Sequence, residues 1–141
     1  MSAEVSVEDR LAIERLYADY AWALDTGDVD AVMKTFWPGA VMQDPLGRFG
    51  PDEEHDVRVF FERIAARPDF AGRQHWVSQL RLRAVEGGVI GDSYVFVPAS
   101  YRGGGVNIHL AAFYRDRIEC IDGEWRFRER LVGPRYPEDV A

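Results

Sequence analysis

At neutral pH few side chains of this sequence could move a proton or attack carbon: three histidines, His55, His75 and His109, and a single cysteine, Cys120. Imidazole titrates near physiological pH unaided, so a histidine facing a pocket is a ready general base. His75 stands in the run RQHWVSQL, inside an expected strand, as either that base or an ordinary sheet histidine. His109 and Tyr101 lie on neighbouring expected strands and are candidates to face a substrate. Asp44 ends a short expected strand, where it either adds a polar group to a pocket or caps the turn before Pro45. His55 falls early in an expected helix and reads as solvated. Cys120 sits beside the Asp122-Gly123 turn with no histidine in its local sequence, which points to a structural thiol rather than a nucleophile. Asp25, His75 and His109 show no ligand spacing such as HxH or HExxH, and the chain has no GxGxxG fingerprint. Neither a metal nor a cofactor is therefore expected.

The elements that must carry these residues follow from periodicity. Ser6 can cap a helix, and Ile13, Leu16, Tyr17, Tyr20, Ala21 and Leu24 then recur at helical spacing. Gly27 stops it, and Asp28 caps a second short helix through Val32 and Phe36 to the Pro38-Gly39 break. Ala40 to Asp44 reads as a short strand. A third helix is expected to open at Pro51 and close at Pro68. The period then changes to two, over Gln74 to Ala84, Val89 to Arg102, Val106 to Glu119 and Trp125 to Val132. Tight turns at Glu86-Gly87-Gly88, Gly103 to Gly105 and Asp122-Gly123 make these four runs an antiparallel meander. Helices gathered ahead of a meander give an α+β class: a curved antiparallel sheet wrapped by N-terminal helices into a cone-shaped barrel with an internal pocket.

Composition agrees and excludes partners. The 141 residues suit one domain, 1–141, and 47% hydrophobic content supports a real core. A formal net charge of −7 repels nucleic acid and anionic membranes. The one basic stripe, Arg126, Arg128 and Arg130, reads as one face of a strand. MSAEVSVEDR has no apolar leader core and no stretch is long enough to span a membrane, so a cytoplasmic setting is expected.

Three runs carry a resemblance: RLYADYAWALDTGDVDAVMKTFWPGAV, RQHWVSQL and DGEWRFRERLV. Together they resemble the SnoaL-like branch of the nuclear-transport-factor-2-like superfamily, over nearly the whole chain. The likeness is to scytalone dehydratase, the lindane dehydrochlorinase and the bacterial bile-acid dehydratase. By that resemblance Asp25 and His75 are an elimination dyad, Tyr20 matches a helix tyrosine of the bile-acid enzyme, and Arg130 matches an arginine of the dehydrochlorinase. Ala99 stands where scytalone dehydratase has a second histidine. The implied activity is a cofactor-independent lyase or isomerase on a hydrophobic cyclic small molecule. A hydrolase, a polyketide-type cyclase, and a non-catalytic binding or dioxygenase-small-subunit-like protein are alternatives on the same scaffold. A homodimer or homotrimer through the sheet is also implied.

The chemistry makes physical sense. A carboxylate on one ring nitrogen fixes the imidazole tautomer and stabilises the imidazolium that forms when the other nitrogen takes a proton. Arg130 would set a fixed cation near an enolate or leaving group, or else form an ion pair with Glu129 or Glu119. Asp25 could equally be a turn former in DTGD, and Tyr20 a core aromatic. Tyr20 lies about 140° around the helix from Asp25, so both reach one pocket only if the helix ends near Asp25. Strand parity raises a second condition: His75, Val77, Gln79, Arg81 and Arg83 share the less apolar face. If His75 points inwards, the strand needs a bulge or must switch faces.

Overall fold

The computed structural model describes residues 4–100 and 103–133. Helix α1 runs Val7–Asp25, opened by Ser6, whose hydroxyl accepts the Asp9 N–H at 3.1 Å. Its buried stripe is Ile13, Leu16, Tyr17, Tyr20, Ala23 and Leu24. Gly27, at φ 74°, turns the chain out of the helix. Asp28 then caps the short α2, Val29–Met33.

Here the structure departs from the helix expected through Phe36. Phe36 instead opens strand β1, Phe36–Asp44, which also contains Pro38 and Gly39. The cause is long-range. Phe36 pairs with Phe127 of the last strand and is 2% exposed, its ring packed against those of Tyr20, Phe61 and Phe127. Pro38 and Gly39 fall in the irregular part of that ladder, between the paired Phe36 and Val41, where a missing N–H is tolerated. Strand β2, Gly47–Phe49, folds back on β1. Helix α3 spans Val57–Ala65 with Asp56 as its cap, so the expected start at Pro51 is too early. Its buried residues Val57, Phe60 and Phe61 set where helix formation is worth its entropy; residues 51–55 are turns and bends.

The four expected strands are present: β3 Trp76–Val85, β4 Gly88–Ser100, β5 Val106–Ile121 and β6 Glu124–Gly133. They form the antiparallel meander, and β1 adds to β6 in parallel, giving the order β2-β1-β6-β5-β4-β3. The result is an α+β architecture with a curved, unclosed sheet whose concave face holds the helices.

Three bulges help bend it. On β3, Ser78 pairs with Tyr94 but Arg81 with Asp92, and Gln79 has φ 57°. On β5, Leu110 pairs with Val97 and Ile108 with Pro98, leaving His109 as the extra residue. On β6, Glu129 pairs with Arg117 and Phe127 with Ile118, leaving Arg128 extra. The first meets the parity condition on His75: Val77 turns inwards before the bulge, and Leu80 and Leu82 after it. The last breaks the expected arginine face. Arg126 and Arg128 stay on the outer surface, paired with Glu124 and Glu119, while Arg130 is turned into the core.

Candidate active site

Asp25 is the last residue of α1. Its position depends on how that helix ends: the Thr26 hydroxyl and the Gly27 and Asp28 amides take up the carbonyls of Trp22, Ala23 and Leu24. The Asp25 side chain is thus free to reach across to the residue just ahead of β3. One carboxylate oxygen lies 2.6 Å from His75 Nδ1, and both accept the His75 backbone N–H, at 3.1 and 2.9 Å. A carboxylate only accepts, so the tautomer that fits this contact carries its proton on Nδ1 and leaves the lone pair on Nε2. The pair is largely enclosed, at 12% and 19% side-chain exposure.

His75 forms part of the wall of a cavity of about 260 Å³. The buried floor is Tyr20, Leu24, Met42, Phe60, Val97, Ala112 and Tyr114; the exposed rim includes Leu46, Arg67 and His109. A more open groove of about 670 Å³ between α1 and β3 also touches His75, but His109 and Asp44 belong to the enclosed cavity alone. Because α1 ends at Asp25, Tyr20 one turn earlier can line the floor while Asp25 meets His75. Tyr20 is 1% exposed, and burial raises its phenol above the ordinary value, opposed by the nearby Arg130 cation.

Arg130 is placed differently from the expectation. It is wholly buried and does not line the cavity; it lies behind Tyr20 and Tyr114, its guanidinium carbon 4.2 and 4.0 Å from their ring centres. Its partner is neither Glu129 nor Glu119 but Asp116, in a two-bond fork of 2.7 and 2.9 Å. Desolvation works against its charge, and Asp116 and the surrounding phenols reverse that, holding the arginine protonated. Asp116 also accepts the Tyr17 hydroxyl at 2.5 Å. The sequence reading missed Asp116 and Tyr17. The available signal was parity: Asp116 shares the inward register of β5 with Ala112, Tyr114 and Ile118, where an acid must have a partner.

The remaining expected residues divide. Asp44 lines the cavity and also caps the turn, accepting the amides of Leu46 and Gly47 at 2.8 and 3.1 Å. His109, on the β5 bulge, lines the rim; partial burial, then the cations Arg73 and Arg67, lower its pKa. Ala99, at the position of the second histidine in the resembling dehydratase, is 3% exposed and bridges to Arg73. The neighbouring strand thus brings an imidazole to the cavity by another route. Tyr101 lies outside the described residues. Arg73 was also missed. It is set beside β4 by Gly72, at φ 90°, where a Cβ would come within 2.2 Å of the Ser100 carbonyl oxygen.

With this geometry in place, the comparisons decide the family. A profile of the SnoaL-like domain matches residues 5–131. The chain belongs to the SnoaL-like domain family. No curated protein matches the sequence at a significant level. Among solved structures, the SnoaL-like chain is similar to LinA, with 25% identity, TM-score 0.72, and 89% of this chain and 85% of that one covered. It is equally similar in sequence to a Nostoc punctiforme protein with a cystatin-like fold, at 25% identity and TM-score 0.78 over 93% and 94% of the two chains. A Novosphingobium aromaticivorans protein provisionally assigned as a scytalone dehydratase shares the fold at 22% identity and TM-score 0.69, over 89% and 83%. No helix among the described residues is long and apolar enough to cross a membrane.

Proposed function

We propose that this SnoaL-like protein is a cofactor-independent lyase or isomerase that removes a proton next to a carbonyl in a compact, largely apolar ring compound. The observation that carries the reading is the 2.6 Å contact between Asp25 and His75 Nδ1 in the wall of an enclosed cavity. Nε2 takes the carbon-bound proton, and the bond's electrons pass into the carbonyl to give an enolate. Asp25 stabilises the imidazolium formed, and the Tyr20 hydroxyl donates to the oxygen that gains charge. Collapse of the enolate expels a leaving group at the β-carbon, with the imidazolium returning its proton to a leaving hydroxide. Where no leaving group is present, the proton returns to another carbon and the outcome is isomerisation. The likeness to LinA and the family profile support this class of chemistry over hydrolysis.

The test is a panel of mono- and bicyclic β-hydroxy ketones, followed by enone absorbance and by deuterium uptake from D2O at the α-carbon. His75→Ala is expected to lower turnover by about 10²–10⁴-fold, the usual contribution of a positioned base. A rate within about tenfold of the parent would remove His75 from the role. Asp25→Asn is expected to keep the fold and lose a comparable factor, because an amide does not stabilise imidazolium.

A further inference from the structure

The cavity rim carries more positive charge than the dyad chemistry uses. Arg67 and Arg73 both face it, and among the described residues a single carboxylate serves the two: Asp69 accepts from Arg67 Nε at 3.2 Å and from Arg73 Nη2 at 2.9 Å. Arg73 is more than nine-tenths buried, and its enclosed Nε has no hydrogen-bond partner among the described residues. A guanidinium taken out of water with a half share in one acid is under-compensated, and it pulls strongly on any anion that reaches it. Asp44, which lines the cavity wall, already accepts two backbone amides, and Asp25, behind His75, is engaged by that residue. All this sits on a chain of net charge −7, so the positive rim is a local feature against the general field.

Resting on the reading of this cavity as a substrate site, we infer that the substrate carries a carboxylate, held at the rim by Arg67 and Arg73. The planar fork of arginine matches a carboxylate in two-bond geometry, and the two arginines at the rim share the one acid Asp69. The apolar body of the molecule then lies over Leu24, Phe60 and Val97 towards Tyr20, with its reacting carbon near His75. His109 reports on the arrangement, since the field of Arg73 and Arg67 opposes its protonation and Asp69 favours it.

The experiment is calorimetric binding of cyclohexanecarboxylate and 2-naphthoate, each against its methyl ester, to the full chain and to His75→Ala, in which turnover does not interfere. At least one acid is expected to bind tenfold or more tightly than its ester, about 1.4 kcal/mol. Arg67→Met, at an exposed position that should fold normally, is expected to abolish most of that preference. Histidine ring NMR is expected to show the His109 midpoint rising when the acid is bound, as the anion offsets the two arginines. Equal binding of acid and ester, no binding of either acid at millimolar concentration, or an unchanged preference in Arg67→Met would overturn the inference. Those results leave the dyad proposal intact, whereas undiminished turnover by His75→Ala removes the dyad and leaves the carboxylate preference standing.

Discussion

Arg130 and Asp116 are wholly buried opposite charges beneath the cavity floor, and such a pair is asymmetric in its energetics. Forming it roughly balances desolvation; removing one member leaves the other stranded. Asp116→Asn is therefore expected to lose about 3–5 kcal/mol of stability in urea unfolding, whereas replacing both residues together with apolar ones should recover much of the loss. His109 makes a second residue-scale prediction. Its folded-state pKa lies below the ordinary 6.5 because of partial burial and the Arg73 and Arg67 cations. The unfolded chain binds the proton more readily, so this residue weakens folding as pH falls through the unfolded value. Arg67→Met should move the His109 NMR midpoint upwards; no movement would mean the rim arginines do not act on it. Of these residues the sequence made His75, Asp25, Tyr20, Asp44 and His109 visible as candidates. The partnership of Arg130 with Asp116 stayed hidden because a two-residue alternation carried straight through β6 puts Arg130 with Arg126 and Arg128, and only the extra residue at Arg128 turns Arg130 inwards.

Elements differ in how local their causes are. Helix α1 and the hairpin turns could be read because Ser6, Gly27, Gly87 and Gly123 act within a few residues of themselves. The start of β1 could not, since Phe36 is fixed by Phe127 at the far end of the chain, and α3 begins where its apolar side meets the sheet rather than where Pro51 would permit. The bulge on β3 is the device on which the site depends most. Gln79 holds φ 57°, which costs a side chain with a Cβ about 1–3 kcal/mol. Gln79→Gly should accordingly be at least as stable as the parent, and Gln79→Val less stable by more than about 1 kcal/mol, measured by thermal and chemical unfolding. If valine is tolerated without loss, the bulge is not pinned there, and the inward turn of His75 has another cause.

At the scale of the molecule, the convex side of the sheet is divided. Around the start of β4, the end of β5 and β6 it is a lattice of charge, with Arg115 forked onto Asp92 and Arg128 on Glu119. Towards the other end it is aromatic: Trp76 packs on Phe96 and Tyr94 on Phe113, with Trp76 and Tyr94 each more than half exposed. The expected self-association is proposed to use this aromatic half rather than the last two strands, whose Trp125 and Phe127 face inwards. Light scattering at micromolar concentration should return a dimer or trimer of the 16.1 kDa chain, and Tyr94→Lys should shift it towards monomer without altering the fold. A parent that scatters as a monomer refutes the proposal.

The Asp25 carboxylate holds the His75 backbone N–H as well as its ring. That amide sits where the helix end and the sheet are tied together, so it can meet solvent only when α1 swings away from β3. Its hydrogen–deuterium exchange is then a clock for the opening of the site: slow, and matched to the sub-global unfolding of α1 rather than to fraying of the strand. Replacing Asp25 by alanine should speed exchange at this one amide far more than at Gln74, whose N–H is donated to the Pro98 carbonyl of β4 at 3.0 Å. The readiness of the base and the attachment of the first helix would in that case be one and the same equilibrium.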